Sequence, residues 1–365
     1  MSAADAGFMA RALQLARNGF YTADPNPRVG CVLVKDGQIL AEGWHAQAGQ
    51  AHAEVDALAK LADPALARGA TAYVSLEPCS HHGRTGPCCE ALVAAGIRRV
   101  VAAMQDPNPL VAGNGLRKMR DAGVEVSCGL LRADAEQLNR GFIKRMLSGL
   151  PFVRSKLAMS LDGRTALANG ASQWISSEQA RQDVQKFRAE SSAIVTGIDT
   201  VLADDPSLNA RVDFAVKQPV RVVLDSHLRM PLNAGMLQLP GETWVIACHE
   251  DHAKQMRLRD AGCKVWTVDS RMGRVDLNAA FKLLARQQIN TVWVEAGASL
   301  NGALLQTELV DEWLLYVAPC ILGDSARGLF RFPELHRMED KVKLELLDSR
   351  QIGPDLRLRY RPRRA

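Results

Sequence analysis

Short apolar, β-branched runs alternate with longer amphipathic stretches along nearly the whole chain, and this alternation restricts the fold more than any other feature. Runs of about four to eight such residues read as buried strands, and apolar spacing of three and four reads as helix. The first half gives a helix up to about residue 20, strands over 29–34 and 38–44 turned at Asp36-Gly37, and a helix over 52–61. A strand over 70–76, a helix over 88–95 closed by Gly96 and a strand over 100–104 follow. The half ends with a helix over 115–122 closed by Gly123, a strand over 124–127 and a helix over 133–147. Asp24-Pro25-Asn26-Pro27 is expected as a stiff, extended loop. Ser148-Gly149-Leu150-Pro151 interrupts the pattern, and the alternation then restarts. Strands are expected over 152–158, 193–196, 220–225, 243–248, 265–268, 291–295 and 312–318, with an antiparallel pair over 343–348 and 356–360. Helices over 177–189, 252–261, 277–287 and 299–307 lie between them. Such alternation builds sheets with helices on their faces. It predicts two α/β domains, residues 1–148 and 149–365, which suits a chain of 365 residues.

Composition narrows the class further. Lys plus Arg number 45 against 40 for Asp plus Glu, a mild excess without a polybasic tract. That balance suits an anionic small molecule at least as well as nucleic acid, and aromatic residues at 5% with no basic–aromatic cluster argue against stacking on bases. No run of about 18 apolar residues is present, so no membrane-spanning helix is expected. Arg11 and Arg17 interrupt the apolar N-terminal stretch, which reads as the first helix of the fold rather than a secretion signal. A cytoplasmic location is the expectation. Eight Cys in so long a chain do not form a disulfide framework. Cys31, Cys128, Cys248, Cys263 and Cys320 are scattered among apolar residues and are expected as buried thiols, whereas Cys79, Cys88 and Cys89 cluster.

That cluster carries chemistry. His52-Ala53-Glu54 opens a helix, Pro78-Cys79 ends a strand and Cys88 enters the next helix. One imidazole and two thiolates leave a position open on zinc, where water becomes reactive near neutral pH. A carboxylate beside the metal but not bound to it can move protons between water, a ring nitrogen and departing ammonia. His-x-Glu supplies ligand and proton carrier from one turn, so the set points to a zinc-dependent deaminase of a nucleobase-like ring. The usual spacing in such enzymes is Pro-Cys-x-x-Cys, and here eight residues separate the two Cys. Cys88 is the expected ligand and Cys89 its rival. The bland alternatives are a structural zinc closed by His81 or His82, or a chance His among buried Cys, and both leave Glu54 without a purpose.

The interrupting segment Ser80-His81-His82-Gly83-Arg84-Thr85-Gly86-Pro87-Cys88 resembles one family, as do Pro25-Asn26-Pro27-Arg28-Val29-Gly30 and His52-Ala53-Glu54. The resemblance continues through Lys156-Leu157-Ala158-Met159-Ser160-Leu161-Asp162-Gly163-Arg164, Ser172-Gln173-Trp174-Ile175, Thr200-Val201-Leu202-Ala203-Asp204-Asp205-Pro206 and Glu295-Ala296-Gly297. Together they look like the bifunctional riboflavin-biosynthesis deaminase/reductase family, departing from it at Gly86, where the family usually has Pro. The resemblance implies a cytidine-deaminase-like three-layer α/β/α domain followed by a dihydrofolate-reductase-like α/β domain. It implies hydrolytic deamination of a phosphoribosylated diaminopyrimidinone to 5-amino-6-(5-phosphoribosylamino)uracil, then NADPH-dependent reduction of the ribosyl group to ribityl.

By the same resemblance, His52, Cys79 and Cys88 hold one zinc, Glu54 shuttles protons and Asn26 bonds the flat ring. His45, His81 and Arg84 would line the entry and meet phosphate. Ala158, Trp174, Thr200, Asp204, Ser226 and the loop Gly297, Ala298, Ser299, Leu300, Asn301, Gly302 and Ala303 would contact NADPH. Ser172, Arg188, Leu208, Arg211 and Glu295 would contact substrate, with Lys156 or Asp204 delivering a proton. Without the resemblance, Glu295 to Ser299 shows only a glycine turn before a helix, a weak phosphate signal. The expected partner is a small phosphorylated pyrimidine, with neither nucleic acid nor membrane, in a homo-oligomer (dimer or tetramer). A nucleic-acid base deaminase with an appended recognition domain is the alternative, and a non-catalytic zinc-stabilised binding protein is a third. The first of these would show a salt-sensitive basic groove, and the second would be indifferent to loss of Glu54.

Overall fold

A computed structural model describes residues 2–80, 86–109 and 112–363. The chain divides into two compact units, Met1–Gly149 and Leu150–Ala365. Among the described residues no helix is long and apolar enough to cross a membrane.

The first unit runs α1 (Ala3–Ala16), β1 (Gly30–Lys35), β2 (Gln38–Trp44), α2 (Ala53–Ala59), β3 (Thr71–Val74), α3 (Cys88–Ala94), β4 (Arg99–Ala102), α4 (Asn114–Asp121), β5 (Glu125–Cys128), α5 (Arg132–Leu138) and α6 (Arg140–Ser148). Its sheet has the order β2-β1-β3-β4-β5. Asp36 and Gly37, both with positive φ (50° and 77°), turn β1 into β2 as a tight hairpin requires. Strand β1 is antiparallel to β2 and β3, and β3, β4 and β5 are parallel. Alternation along β1 sends Cys31 and Leu33 into a core with α2, α3 and α4, and Val32 and Val34 into a second core with α1 and α5. The result is the expected three-layer arrangement.

Two local expectations are corrected. The segment 24–27 is turned rather than extended, and the Asn26 N–H donates to the Ala23 carbonyl at 3.0 Å. The helix expected over 133–147 is broken at Asn139. The buried Asn139 amide accepts from the Arg28 N–H at 2.8 Å and donates to the Arg28 carbonyl at 2.9 Å. This side chain imitates a backbone pair and holds its own residue out of helix.

The second unit runs β6 (Phe152–Ser160), β7 (Arg164–Ala166), α7 (Glu178–Ala189), β8 (Ala193–Gly197), α8 (Ile198–Asp204), β9 (Val220–Leu224), β10 (Thr243–Ala247), α9 (His252–Asp260), β11 (Cys263–Thr267), β12 (Ser270–Arg271) and β13 (Arg274–Val275). It continues with α10 (Leu277–Arg286), β14 (Thr291–Glu295), α11 (Ala298–Gln306), β15 (Glu312–Ala318), β16 (Arg327–Gly328), β17 (Leu344–Ile352) and β18 (Asp355–Pro362). The main sheet has the order β11-β10-β9-β8-β14-β6-β15-β18-β17. All its pairings are parallel except β15 with β18 and β18 with β17, so the antiparallel pair does sit at the chain's end. Helices α10 and α11 pack on one face, and α7, α8 and α9 on the other. Helix α8 was not expected, because its short run reads as loop by periodicity alone.

The scattered thiols behave unequally. Cys31 and Cys263 are buried, but Cys248 and Cys320 are half-buried and Cys128 is exposed. Cys128 closes the edge strand β5, where one face and the strand end meet solvent.

Candidate active sites

Three backbone contacts assemble the first site. A Cβ on Gly43 would stand 2.3 Å from the Ala53 carbonyl oxygen, so only glycine lets α2 lie this close to β2. That contact sets the position of His52, at the helix N-cap, and of Glu54 in its first turn. A Cβ on Gly115 would stand 2.0 Å from the Pro78 oxygen, which fixes the Pro78-Cys79 segment against α4. The Cys89 N–H donates to the Cys79 carbonyl at 3.1 Å and joins that segment to α3.

The ligand atoms of His52, Cys79 and Cys88 lie within 4.8 Å of one another. The His52 Nδ1 is 3.2 Å from the Cys88 sulfur and 3.5 Å from that of Cys79. The Cys88 N–H, at the start of α3, donates to the Cys79 sulfur at 3.3 Å. Cys89 faces the other way, into the apolar core beneath the sheet, so the group contains Cys88 and not its neighbour. Hydrogen bonding between the two sulfurs favours a thiolate on Cys79 and holds the proton on Cys88, lowering the first thiol and raising the second. Hydrogen bonding to Cys79 raises His52 against the effect of burial. Two sulfurs and an imidazole nitrogen converging from three segments form a donor set that fits zinc.

Glu54 is 3% exposed, and burial pushes its carboxyl up to about 7. It is thus poised to hold or release a proton near neutral pH. His45 is 2% exposed, its Nδ1 is 3.0 Å from the Ala51 oxygen, and its Nε2 is 3.0 Å from the Asn26 amide nitrogen. Burial lowers its pKa. The expectation that it lines an entry is therefore corrected: it sits behind Asn26. His81 and Arg84 lie outside the described residues.

Glu77 went unnoticed in the sequence. It is 3% exposed, and its carboxylate accepts from the N–H groups of Asp106, Gly113, Gly115 and Leu116 at 2.9–3.3 Å. It caps α4 and holds the loop that precedes this helix beside Pro78-Cys79. An acidic residue next to Pro-Cys at a strand end was the available signal.

In the second unit, Glu295 on β14 stands opposite Lys156 on β6, so both point to the face covered by α7. Arg188, in the last turn of α7, reaches Glu295 through two bonds of 2.6 and 2.8 Å and donates to the Asn209 oxygen at 3.0 Å. The Trp293 indole N–H adds a bond of 2.8 Å to Glu295. Burial works to raise the Glu295 carboxyl, but Arg188 outweighs it, and the carboxyl is held at about 2. Burial lowers Lys156, with Arg188 adding to the effect and Glu295 opposing it. Burial, Arg188 and Glu295 likewise act on the exposed Arg211. Three cations against one carboxylate leave this corner positive. Leu208 beside it is buried with φ 43°, a left-handed backbone that a branched side chain rarely adopts.

The carboxyl ends of the parallel strands, where α/β sheets take ligands, hold other expected positions. Thr200 and Asp204 lie on α8, Ala158 on β6 and Ser226 after β9. The Ser226 hydroxyl accepts from the Val275 N–H at 3.1 Å. Gly297 is the N-cap of α11, with no side-chain cap bond and open space where a Cβ would stand, so a phosphate fits against these N–H groups. Ala298, Ser299, Leu300 and Ala303 follow on this helix. Asn301 instead turns inward, accepting from the Ser155 hydroxyl at 2.7 Å, and a Cβ on Gly302 would stand 1.9 Å from the Arg331 oxygen. Among the described residues, the buried Thr196 Oγ1 and Asp225 Oδ1 at the ends of β8 and β9 have no partner, as at a site built for a polar ligand. Ser172 is half-buried, and Trp174 is 69% exposed with Arg181 over its ring, so it is not a core residue.

Comparison with known proteins agrees with this division. Residues 2–104 match the cytidine and deoxycytidylate deaminase zinc-binding region, and residues 151–358 match the RibD C-terminal domain. Fold and sites define a zinc-binding deaminase joined in one chain to an NADPH-dependent reductase. The riboflavin biosynthesis protein RibD of Escherichia coli (strain K12) is 50% identical, over 96% of this chain and 98% of that protein. The structure of Acinetobacter baumannii RibD (form 1) superposes with a TM-score of 0.92 at 46% identity, covering 99% of both chains. A diaminohydroxyphosphoribosylaminopyrimidine deaminase/5-amino-6-(5-phosphoribosylamino)uracil reductase from Thermotoga maritima gives a TM-score of 0.85 at 31% identity, over 98% of this chain and 99% of that one. The chain belongs to the RibD family of bifunctional riboflavin-biosynthesis enzymes.

Proposed function

We propose that the first unit deaminates a phosphoribosylated diaminopyrimidinone and that the second reduces the ribosyl group of the product to ribityl. His52, Cys79 and Cys88 would hold zinc, which when bound supplies the Lewis acidity that makes water nucleophilic near neutral pH. Glu54 takes the proton from the attacking water, carries it to the ring nitrogen and then helps ammonia leave. Asn26 bonds the flat ring and fixes its rotation over that carboxyl. The observation that carries this reading is the convergence of His52, Cys79 and Cys88 with the buried Glu54 in the first turn of the helix that His52 caps.

In the second unit NADPH supplies the hydride. Ala158, Trp174, Thr200, Asp204, Ser226 and the Gly297-led turn bind it, the turn through free helix N–H groups. Arg188 and Arg211 meet the substrate phosphate, a reading supported by the positive corner they form with Lys156. Ser172 and Leu208 border the substrate. Glu295 orients Arg188 by its two-bond pair. Lys156 is favoured over Asp204 as proton donor, because it is packed beside Glu295 while Asp204 is exposed at the end of α8. Exposed Leu344, Leu346 and Leu347 on β17 support a homo-oligomer. We place the enzyme in the cytoplasm.

Purified enzyme given the diaminopyrimidinone phosphate tests this. Ammonia is expected with or without NADPH, and NADPH consumption only once deaminated product has formed. NADPH consumption without ammonia would refute the deaminase assignment.

A further inference from the structure

We infer that His45 is a positioning residue for the deaminase step: by accepting one N–H of the Asn26 amide it fixes how that side chain, and with it the amide carbonyl, is turned toward the substrate ring. The inference rests on the reading of Asn26 as a ring contact.

The backbone at His45 is fixed from two sides. Its N–H donates to the Val29 carbonyl at 2.9 Å, and a Cβ on Gly19 would stand 2.4 Å from its oxygen, so the chain passes there without slack. The ring is then fixed by what faces each nitrogen. Nδ1 is 3.0 Å from the Ala51 carbonyl, which can only accept, so Nδ1 carries the hydrogen. The other nitrogen of that neutral tautomer is an acceptor, and Asn26 meets it at 3.0 Å. An amide turned the other way would set its carbonyl oxygen against the Nε2 lone pair. Asn26 therefore donates to His45, and its Oδ1 points away, with no protein partner among the described residues.

Asn26 is itself held in a turn by its N–H bond to Ala23. Its carbonyl oxygen and its second N–H remain for a ligand. With the amide held this way Oδ1 meets a ring amino group or N–H, whereas an amide free to turn would set its NH2 there instead. Ala51 also directly precedes His52, so the bond from His45 ties the ring-reading side chain to the segment that presents a metal ligand.

The test has a spectroscopic arm and a kinetic arm, both on zinc-loaded full-length enzyme. With ¹⁵N-labelled histidine, His45 should appear as the neutral form protonated at Nδ1 and bare at Nε2; a hydrogen on Nε2 would overturn the inference. In kinetics, His45→Leu should lower kcat/KM for deamination about tenfold, the effect of one lost hydrogen bond. Zinc content and reduction of the deaminated product should be unchanged. His45→Gln, whose side-chain oxygen can accept where Nε2 did, should recover most of the loss. In an Asn26→Ala background, His45→Leu should have no further effect. A full additional tenfold there, or no recovery with Gln, would overturn the role given to His45. If Asn26→Ala alone leaves deamination intact, the ring contact itself is wrong, whatever the tautomer shows.

Discussion

Replacing Glu54 by Gln removes the proton carrier while keeping the volume of the side chain. Glu54 is buried in the first turn of α2, two residues from His52. Loss of a positioned acid–base group lowers a rate by about a hundredfold to ten-thousandfold, or roughly 3–5 kcal/mol of barrier. Deamination should fall by that factor, read as ammonia release under saturating substrate. Zinc per chain, measured by atomic absorption, should not change, nor should NADPH-dependent reduction of supplied deaminated product. A second effect has the opposite sign. The Glu54 carboxyl rises from its ordinary 4.5 to about 7 in the folded chain, so its ionised form opposes folding by about 3 kcal/mol. A raised acid carries no penalty below its unfolded value; the penalty grows from about pH 4.5 and is complete above about pH 7. Metal-stripped Glu54→Gln should therefore unfold several degrees above metal-stripped wild type at pH 8, and at the same temperature near pH 4.5. Activity within tenfold of wild type, or loss of zinc with the substitution, would refute the proton-carrier role.

Further outcomes follow from the same geometry. Cys88→Ser should abolish zinc binding, whereas Cys89→Ser should keep it, because Cys89 packs in the core; equal zinc loss in both would contradict the ligand choice. Gly43→Ala forces a methyl onto the Ala53 carbonyl, so zinc and deamination should be lost while reduction of supplied product persists. Arg188→Ala takes the paired cation from a largely buried carboxylate, leaving only Lys156 near it, and should destabilise the second unit by about 2–4 kcal/mol in urea unfolding. Glu295 is held at about 2, so its contribution is complete above about pH 4.5 and fades as pH falls toward 2; Arg188→Ala should weaken that acid dependence, leaving what Lys156 and Trp293 supply.

Much of this architecture was legible because strand and helix periods are strong in this chain. The Asp36-Gly37 hairpin, the Gly96 and Gly123 stops and the strand alternation all translate directly into observed elements. What escaped was set by tertiary contact. Asn139 breaks a helix only because Arg28, far away in sequence, presents both backbone groups to its amide. Glu77 carries only the slight signal of an acid next to Pro-Cys; its role exists only once α4 brings its free N–H groups to it. Helix α8 is too short to show a period. The three clustered donors were readable because His-x-Glu and Pro-Cys bring their own turns. His45 was misplaced at an entry because sequence gives no depth, and only the partners of its two nitrogens reveal that it works from behind Asn26.

The account turns on one imidazole and two thiolates that leave zinc a position for water. X-ray absorption at the zinc edge of the purified enzyme measures that shell directly. Two sulfurs near about 2.3 Å and two nitrogen or oxygen neighbours near about 2.0–2.1 Å, with one zinc per chain, are the predicted result. A shell of three or four sulfurs, or zinc retained at full occupancy after Cys79 and Cys88 are both replaced by Ser, would contradict it.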